Sequence, residues 1–113
     1  MRYTAAGALD TSFSGDGIFI YDNGLHEIAN AIKVQTDGKI VVAGQSSGKW
    51  LVLRLNDDGS LDTGFGTGGA VTAFSANTST AAKAIDFQSD GKIVVSGIVG
   101  NATRDIGVIR LTP

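Results

Sequence analysis

The sequence predicts an all-β fold of two four-stranded antiparallel propeller blades, and three observations predict it. A block of fourteen residues occurs twice, just over fifty residues apart. Each copy divides into short runs rich in Val, Ile and aromatic residues, bounded by Gly, Asp, Asn and Ser. No helical periodicity interrupts them.

The block Ala31–Gly44 recurs as Ala84–Gly97 with ten of fourteen positions identical. Leu9-Asp10-Thr11-Ser12-Phe13 recurs as Leu61-Asp62-Thr63-Gly64-Phe65, and Val52-Leu53-Arg54-Leu55 as Val108-Ile109-Arg110-Leu111. Arg2-Tyr3 resembles the tail of that last block. The offset grows from 52 (Leu9 to Leu61) to 53 (Asp37 to Asp90) to 56 (Arg54 to Arg110), so insertions fall between blocks, where loops are expected. The chain reads as one repeat domain over residues 1–113, with repeat one at 2–53 and repeat two at 54–113.

In order, the strands expected in the first copy are Ile18–Asp22, Ala31–Gln35, Lys39–Ala43 and Trp50–Leu55. In the second they are Ala70–Phe74, Ala84–Gln88, Lys92–Ser96 and Ile106–Leu111. The second and third of each set are joined through Asp37-Gly38 or Asp90-Gly91, a hairpin signal because glycine accepts positive φ without steric cost. The third and fourth are nearly continuous apolar runs, which implies burial on both faces. A four-stranded meander of about fifty residues with two buried faces has the proportions of a propeller blade. An eight-stranded sandwich or a β-solenoid is the alternative, but a sandwich strand usually alternates apolar and polar positions.

Composition narrows the function. Hydrophobic residues make up 42% and charged residues 18%, so a packed core is expected. With a net charge of -2 and no basic run, nucleic acid is not an expected partner. No apolar stretch approaches the roughly 20 residues of a membrane span. There is no cysteine, which leaves the redox compartment open. Met1 is followed at once by repeat sequence, so a targeting segment is expected to be absent or already removed.

The string DGKIVVAG at 37–44, an apolar strand ending in Arg54-Leu55-Asn56, and DGSLDTGFG at 58–66 closely resemble the delta-60 repeat family of bacterial proteins. The resemblance covers nearly the whole chain. It implies a repeat β-structure, a propeller, in secreted or surface-associated bacterial proteins, and it implies no activity. Members usually carry many repeats, whereas this chain has two.

Two blades share one interface and leave two outer apolar faces bare, which a soluble monomer does not tolerate. Propellers close with roughly 4–8 blades, and head-to-tail association that closes makes a ring. A homo-oligomer is therefore expected, a trimer first and a tetramer second. An engineered or excised two-blade fragment fits the same boundaries.

Candidate sites are few. Gly64–Gly69 matches G-x-G-x-x-G, but a strand is expected after it and not the helix that dinucleotide binding needs, so these are read as turn glycines. Asn56, Asp58 and Asp62 supply oxygen ligands suited to calcium, against the simpler reading of an Asn/Asp/Gly turn. Asp10/Asp62, Phe13/Phe65 and Arg2/Arg54/Arg110 recur in each copy and are expected to be scaffold. The unrepeated residues are better ligand candidates: Trp50 (where the second copy has Ile106), Tyr21, His26, and Arg104 with Asp105 in a polar loop. A single tryptophan such as Trp50 caps a core, the first reading, or stacks on a sugar ring in a lectin-like, multivalent reading with glycans as ligand. Asn77-Thr78-Ser79 and Asn101-Ala102-Thr103 match a glycosylation pattern. No catalytic set is visible, so the expected function is a non-enzymatic structural or interaction module, extracellular or at the cell surface.

Overall fold

The computed structural model describes residues 1–74, 80–100 and 103–113, and among them there is no helix. Seven strands follow in order: β1 (Glu27–Val34), β2 (Ile40–Ser46), β3 (Lys49–Leu55), β4 (Ala70–Ala73), β5 (Ala81–Phe87), β6 (Ile93–Gly100) and β7 (Arg104–Leu111). They form two antiparallel sheets, β1-β2-β3-β4 and β5-β6-β7. The all-β architecture of packed antiparallel blades is the one expected from the sequence. Both glycosylation-pattern asparagines, Asn77 and Asn101, lie outside the described residues.

The turns form for local reasons. Between β1 and β2, Gly38 takes φ +87 and the Asp37 carboxylate accepts the Lys39 N–H at 3.0 Å. Asp90 and Gly91 repeat this between β5 and β6, with the Lys92 N–H at 3.1 Å and φ +84 at the glycine. The β2–β3 connection places Ser47 and Gly48 both at positive φ (45 and 81), the geometry of a tight hairpin whose twist matches the strands. The glycines of the G-x-G-x-x-G string are turn residues, as expected: Gly66, Gly68 and Gly69 have φ of 56, 62 and 95, and a strand follows them.

One expected element is absent. Ile18–Asp22 is not a strand, and Ile20 is 80% exposed. Its repeat counterpart, β4, is a strand because β3 lies beside it, with Trp50 opposite Ala73 and Leu53 opposite Ala70. Before Ile18, the Met1–Tyr3 stub corresponds to the end of β3. That stub makes one matching bond, from the Arg2 N–H to the Gly17 carbonyl at 2.9 Å, as the Arg54 N–H bonds Gly69 at 3.1 Å. Sequence repeat and sheet are thus out of phase: β4 belongs to the second repeat but hydrogen-bonds into the first sheet.

The central strands of the first sheet, β2 and β3, are largely buried on both faces. By register, Val41, Ala43, Trp50 and Val52 share its front face, and Ile40, Val42, Gly44, Leu51, Leu53 and Leu55 its back. The front packs on the second sheet in a cluster with Phe65, Ala82, Ile93 and Val95, flanked by Ile109 and Leu111. The back carries a second cluster of Phe13, Ile40 and Leu55, flanked by Phe19 and Val42.

Candidate functional site

The two clusters are the same cluster displaced by one repeat. Phe13, Ile40 and Leu55 on the back of the first sheet correspond to Phe65, Ile93 and Leu111 on the back of the second. The flanking residues match too, Phe19 with Val71 and Val42 with Val95. Each Phe is capped by the Arg of its own repeat. The Arg54 guanidinium lies 4.6 Å from the Phe65 ring centre, and that of Arg2 lies 4.8 Å from Phe13. Each Arg then pairs with the Asp of the same turn, Arg54 with Asp62 and Arg2 with Asp10, Nε to Oδ2 at 2.8 Å in both. The recurring Asp, Phe and Arg residues form one scaffold device used twice.

The copies differ in completion. Residues 1–25 cover part of the back of the first sheet, as the 54–73 segment covers the back of the second. The rest of that face is open: Ile32 and Val34 on β1, opposite Val42 and Ile40, are both more than half exposed. The result is a groove of about 700 Å³ between the N-terminal arm and the back of the first sheet. Its floor is aliphatic, and Arg2, Tyr21, Glu27 and Asn30 stand among its lining residues. Such a groove suits an apolar surface with few polar groups. The sequence implied bare blade faces without naming them; the signal that marks this one is the Phe13/Phe65 repetition.

The carboxylates of the repeated turns hold their charge. The Lys39 ammonium, at 2.7 Å, holds the Asp62 carboxyl below the usual carboxylate range, and Arg54 reinforces it against the opposing effect of burial. Ser12, through its hydroxyl and its N–H, lowers Asp10, and Ser60 lowers Asp58 in the same way. Asp58 therefore caps its own turn, the Asn56 amide bonds Ser60, and Asp62 is taken by two cations. All three residues weighed as calcium ligands, Asn56, Asp58 and Asp62, are thus engaged in the chain's own hydrogen bonds and ion pairs, as the turn reading expects. Among the described residues, no group of three His, Cys, Asp or Glu side chains is placed to hold a metal.

The remaining ligand candidates are not brought together. Trp50 is fully buried, on the face opposite the groove, and its indole N–H donates to the Ile98 carbonyl at 2.9 Å. It packs between the two sheets, the first of the two roles the sequence offers it. Tyr21 is half-buried in the groove lining. His26 is exposed beside the β2–β3 turn, where its carbonyl accepts the Ser47 N–H at 2.9 Å. Arg104 and Asp105 are exposed at the start of β7.

The sequence profile of a family described as a domain of unknown function (DUF5122) beta-propeller matches residues 35–65 and 88–113, together about half of the chain. No curated protein and no solved structure matches.

Proposed function

Because the chain belongs to the DUF5122 beta-propeller family, we propose that it is a non-enzymatic structural or interaction module that completes a propeller by head-to-tail association with further copies of itself. The observation that carries this reading is the displaced cluster: Phe13, Ile40 and Leu55 repeat the blade-to-blade contact of Phe65, Ile93 and Leu111 on a face that no blade covers. Two blades per chain and roughly 4–8 blades per propeller make three copies the expected number, with four as the next closure. The resemblance to delta-60 repeats supports a secreted or surface-associated bacterial setting.

The test is the native mass in solution, by light scattering after size exclusion, with and without EDTA. A single species of three chain masses, unchanged by EDTA, is expected. A well-folded monomer would overturn the reading.

A further inference from the structure

We infer that the groove behind the first sheet is the seat of the β5–β6–β7 sheet of a second copy, and that residues Ile18–Tyr21 add to that sheet's β7 edge as its fourth strand. The inference rests on the head-to-tail reading above and names the surfaces and the register.

The register follows from the pairing already made inside the chain. On β3, Val71 lies opposite Val52, Thr72 opposite Leu51 and Ala73 opposite Trp50. Carried over by the repeat offsets, Phe19 lies opposite Val108, Ile20 opposite Gly107 and Tyr21 opposite Ile106 of the other copy. Among the described residues β7 pairs only with β6, so this edge is free to accept a strand. Both sides are apolar and exposed in the single chain: Ile20 at 80%, Ile106 at 89% and Val108 at 61%.

The occupant is a second copy because shape and charge both fit one. Inside the chain, Trp50 sits against Gly107, where an added Cβ would lie 3.0 Å from its ring. Between copies the corresponding neighbours are Ile106 and Leu51: the smaller side chain moves to one position and the larger to the other. The edge strand shows the same exchange, Thr72 beside Leu51 within the chain and Ile20 beside Gly107 between copies. Charge agrees. Asp62 is held by Arg54 and Lys39 of its own blade. The counterparts of those cations are Arg110 and Lys92, and Asp10 of the next copy is the carboxylate they meet. Arg110 is exposed, and among the described residues Lys92 forms an ion pair only with the neighbouring Asp90, at 3.2 Å.

Arg2 is the competitor. It fills the place over Phe13 and beside Asp10 that Arg110 takes on docking, so the N-terminal stub caps the seat and yields it when β7 arrives.

Two measurements test this. The chain has no cysteine, so Tyr21→Cys with Ile106→Cys introduces one designed pair. Oxidation is expected to link copies into covalent multimers on a non-reducing gel, with neither single variant doing so. Separately, Arg110→Ala is expected to weaken association about tenfold or more with its circular dichroism spectrum unchanged, whereas Arg2→Ala is expected to strengthen it. An oligomer that forms without the cross-link, or that Arg2→Ala weakens, overturns the seat and leaves head-to-tail association standing. A monomer by light scattering overturns both.

Discussion

Arg54 and Asp62 form an ion pair shielded from solvent on both sides, Nε to Oδ2 at 2.8 Å with side chains 10% and 12% exposed. Lys39 adds a second cation on the same oxygen at 2.7 Å, and the Phe65 ring closes the far side of the guanidinium. The pair fixes the turn between β3 and β4, since the Asp62 N–H also donates to the Arg54 carbonyl at 2.9 Å. Removing one partner of such a pair leaves the other charge buried and unmatched, which costs more than the intact pair contributes. Asp62→Ala is therefore expected to destabilise the chain by about 3 kcal/mol. Arg54→Met is expected to cost less, because Asp62 keeps Lys39 and Met still packs on Phe65. Urea titration of the two variants gives the order.

Acid should weaken the fold through the same turns. Asp10, Asp58, Asp62, Asp86 and Asp90 all hold their protons less readily in the folded chain than in the unfolded one, with Ser12, Ser60, Lys39, Lys33 and the Lys92 N–H respectively as the leading causes. Groups shifted down stabilise the fold fully above the unfolded carboxylate value of about 4 and lose that contribution as pH falls through the lower folded values. Stability is thus expected to be level from pH 7 to about 5 and to drop steeply below about 4. Asp62→Asn should flatten the acid limb. Denaturation midpoints across that range check both, and an unchanged acid limb in the Asn variant would count against Asp62 as a main contributor.

Gly44 and Gly97 are fixed by what faces them. Each β-bulge, between Ala29 and Ala31 and again between Ala82 and Ala84, pushes the backbone of the neighbouring strand toward the glycine. A Cβ on Gly44 would lie 1.8 Å from the Ile28 carbonyl oxygen, and one on Gly97 would lie 2.2 Å from that of Ala81. Backbone cannot step aside as a flexible side chain can. Alanine at either site is expected to destabilise by about 2–3 kcal/mol, read as a lower urea midpoint, while Gly7→Ala and Gly24→Ala, which meet nothing within 4 Å, serve as references for positive-φ strain alone.

The Ser47-Gly48 turn has room for improvement. Ser47 takes φ +45, a region that asparagine tolerates better than serine. Ser47→Asn creates the Asn-Gly hairpin pair and is expected to raise stability by about 0.5 kcal/mol, measured as a higher thermal midpoint. A lower midpoint would mean that the bond between the His26 N–H and the Ser47 hydroxyl, at 3.4 Å, outweighs the backbone preference.

How much of this was legible beforehand depends on what each residue answers to. Hairpins at Asp37-Gly38 and Asp90-Gly91 could be read directly, because their geometry is decided within four residues. Strand cores were placed within a few residues for the same reason. Ile18–Asp22 is not a strand although its residues favour one, because a strand is a relation between two segments and local propensity does not report what lies beside it. The sheet that β4 joins is hidden on the same account: Ala70–Ala73 looks no different in sequence whichever sheet it joins. For Trp50 the sequence offers two readings, a core cap and a ligand platform, because a difference between repeats can mark either packing or function. The difference has a partner, since Gly107 replaces Leu51 in the counterpart position, and only the packed structure shows the two in contact.

That pairing gives the sharpest test of the packing. Trp50 fills the hollow over Gly107, and Val99 also lies against that glycine, 2.5 Å from where its Cβ would be. Trp50→Ile alone leaves a cavity and removes the indole bond to the Ile98 carbonyl, at a cost of about 3 kcal/mol. Gly107→Leu alone drives a side chain into the ring, at a cost of about 2 kcal/mol or more. The double variant installs in the interior the Ile and Leu that the repeat carries at the counterpart positions, 106 and 51. If volume is what couples the sites, the double variant loses less than the sum of the singles, with a coupling of about 1–2 kcal/mol in a double-mutant cycle. Additive losses would show that Trp50 and Gly107 fit their surroundings separately. Because Trp50 is the sole tryptophan, its emission in the wild-type chain should be blue-shifted and shielded from acrylamide. In Gly107→Leu the emission should shift to the red as the ring is pushed toward solvent.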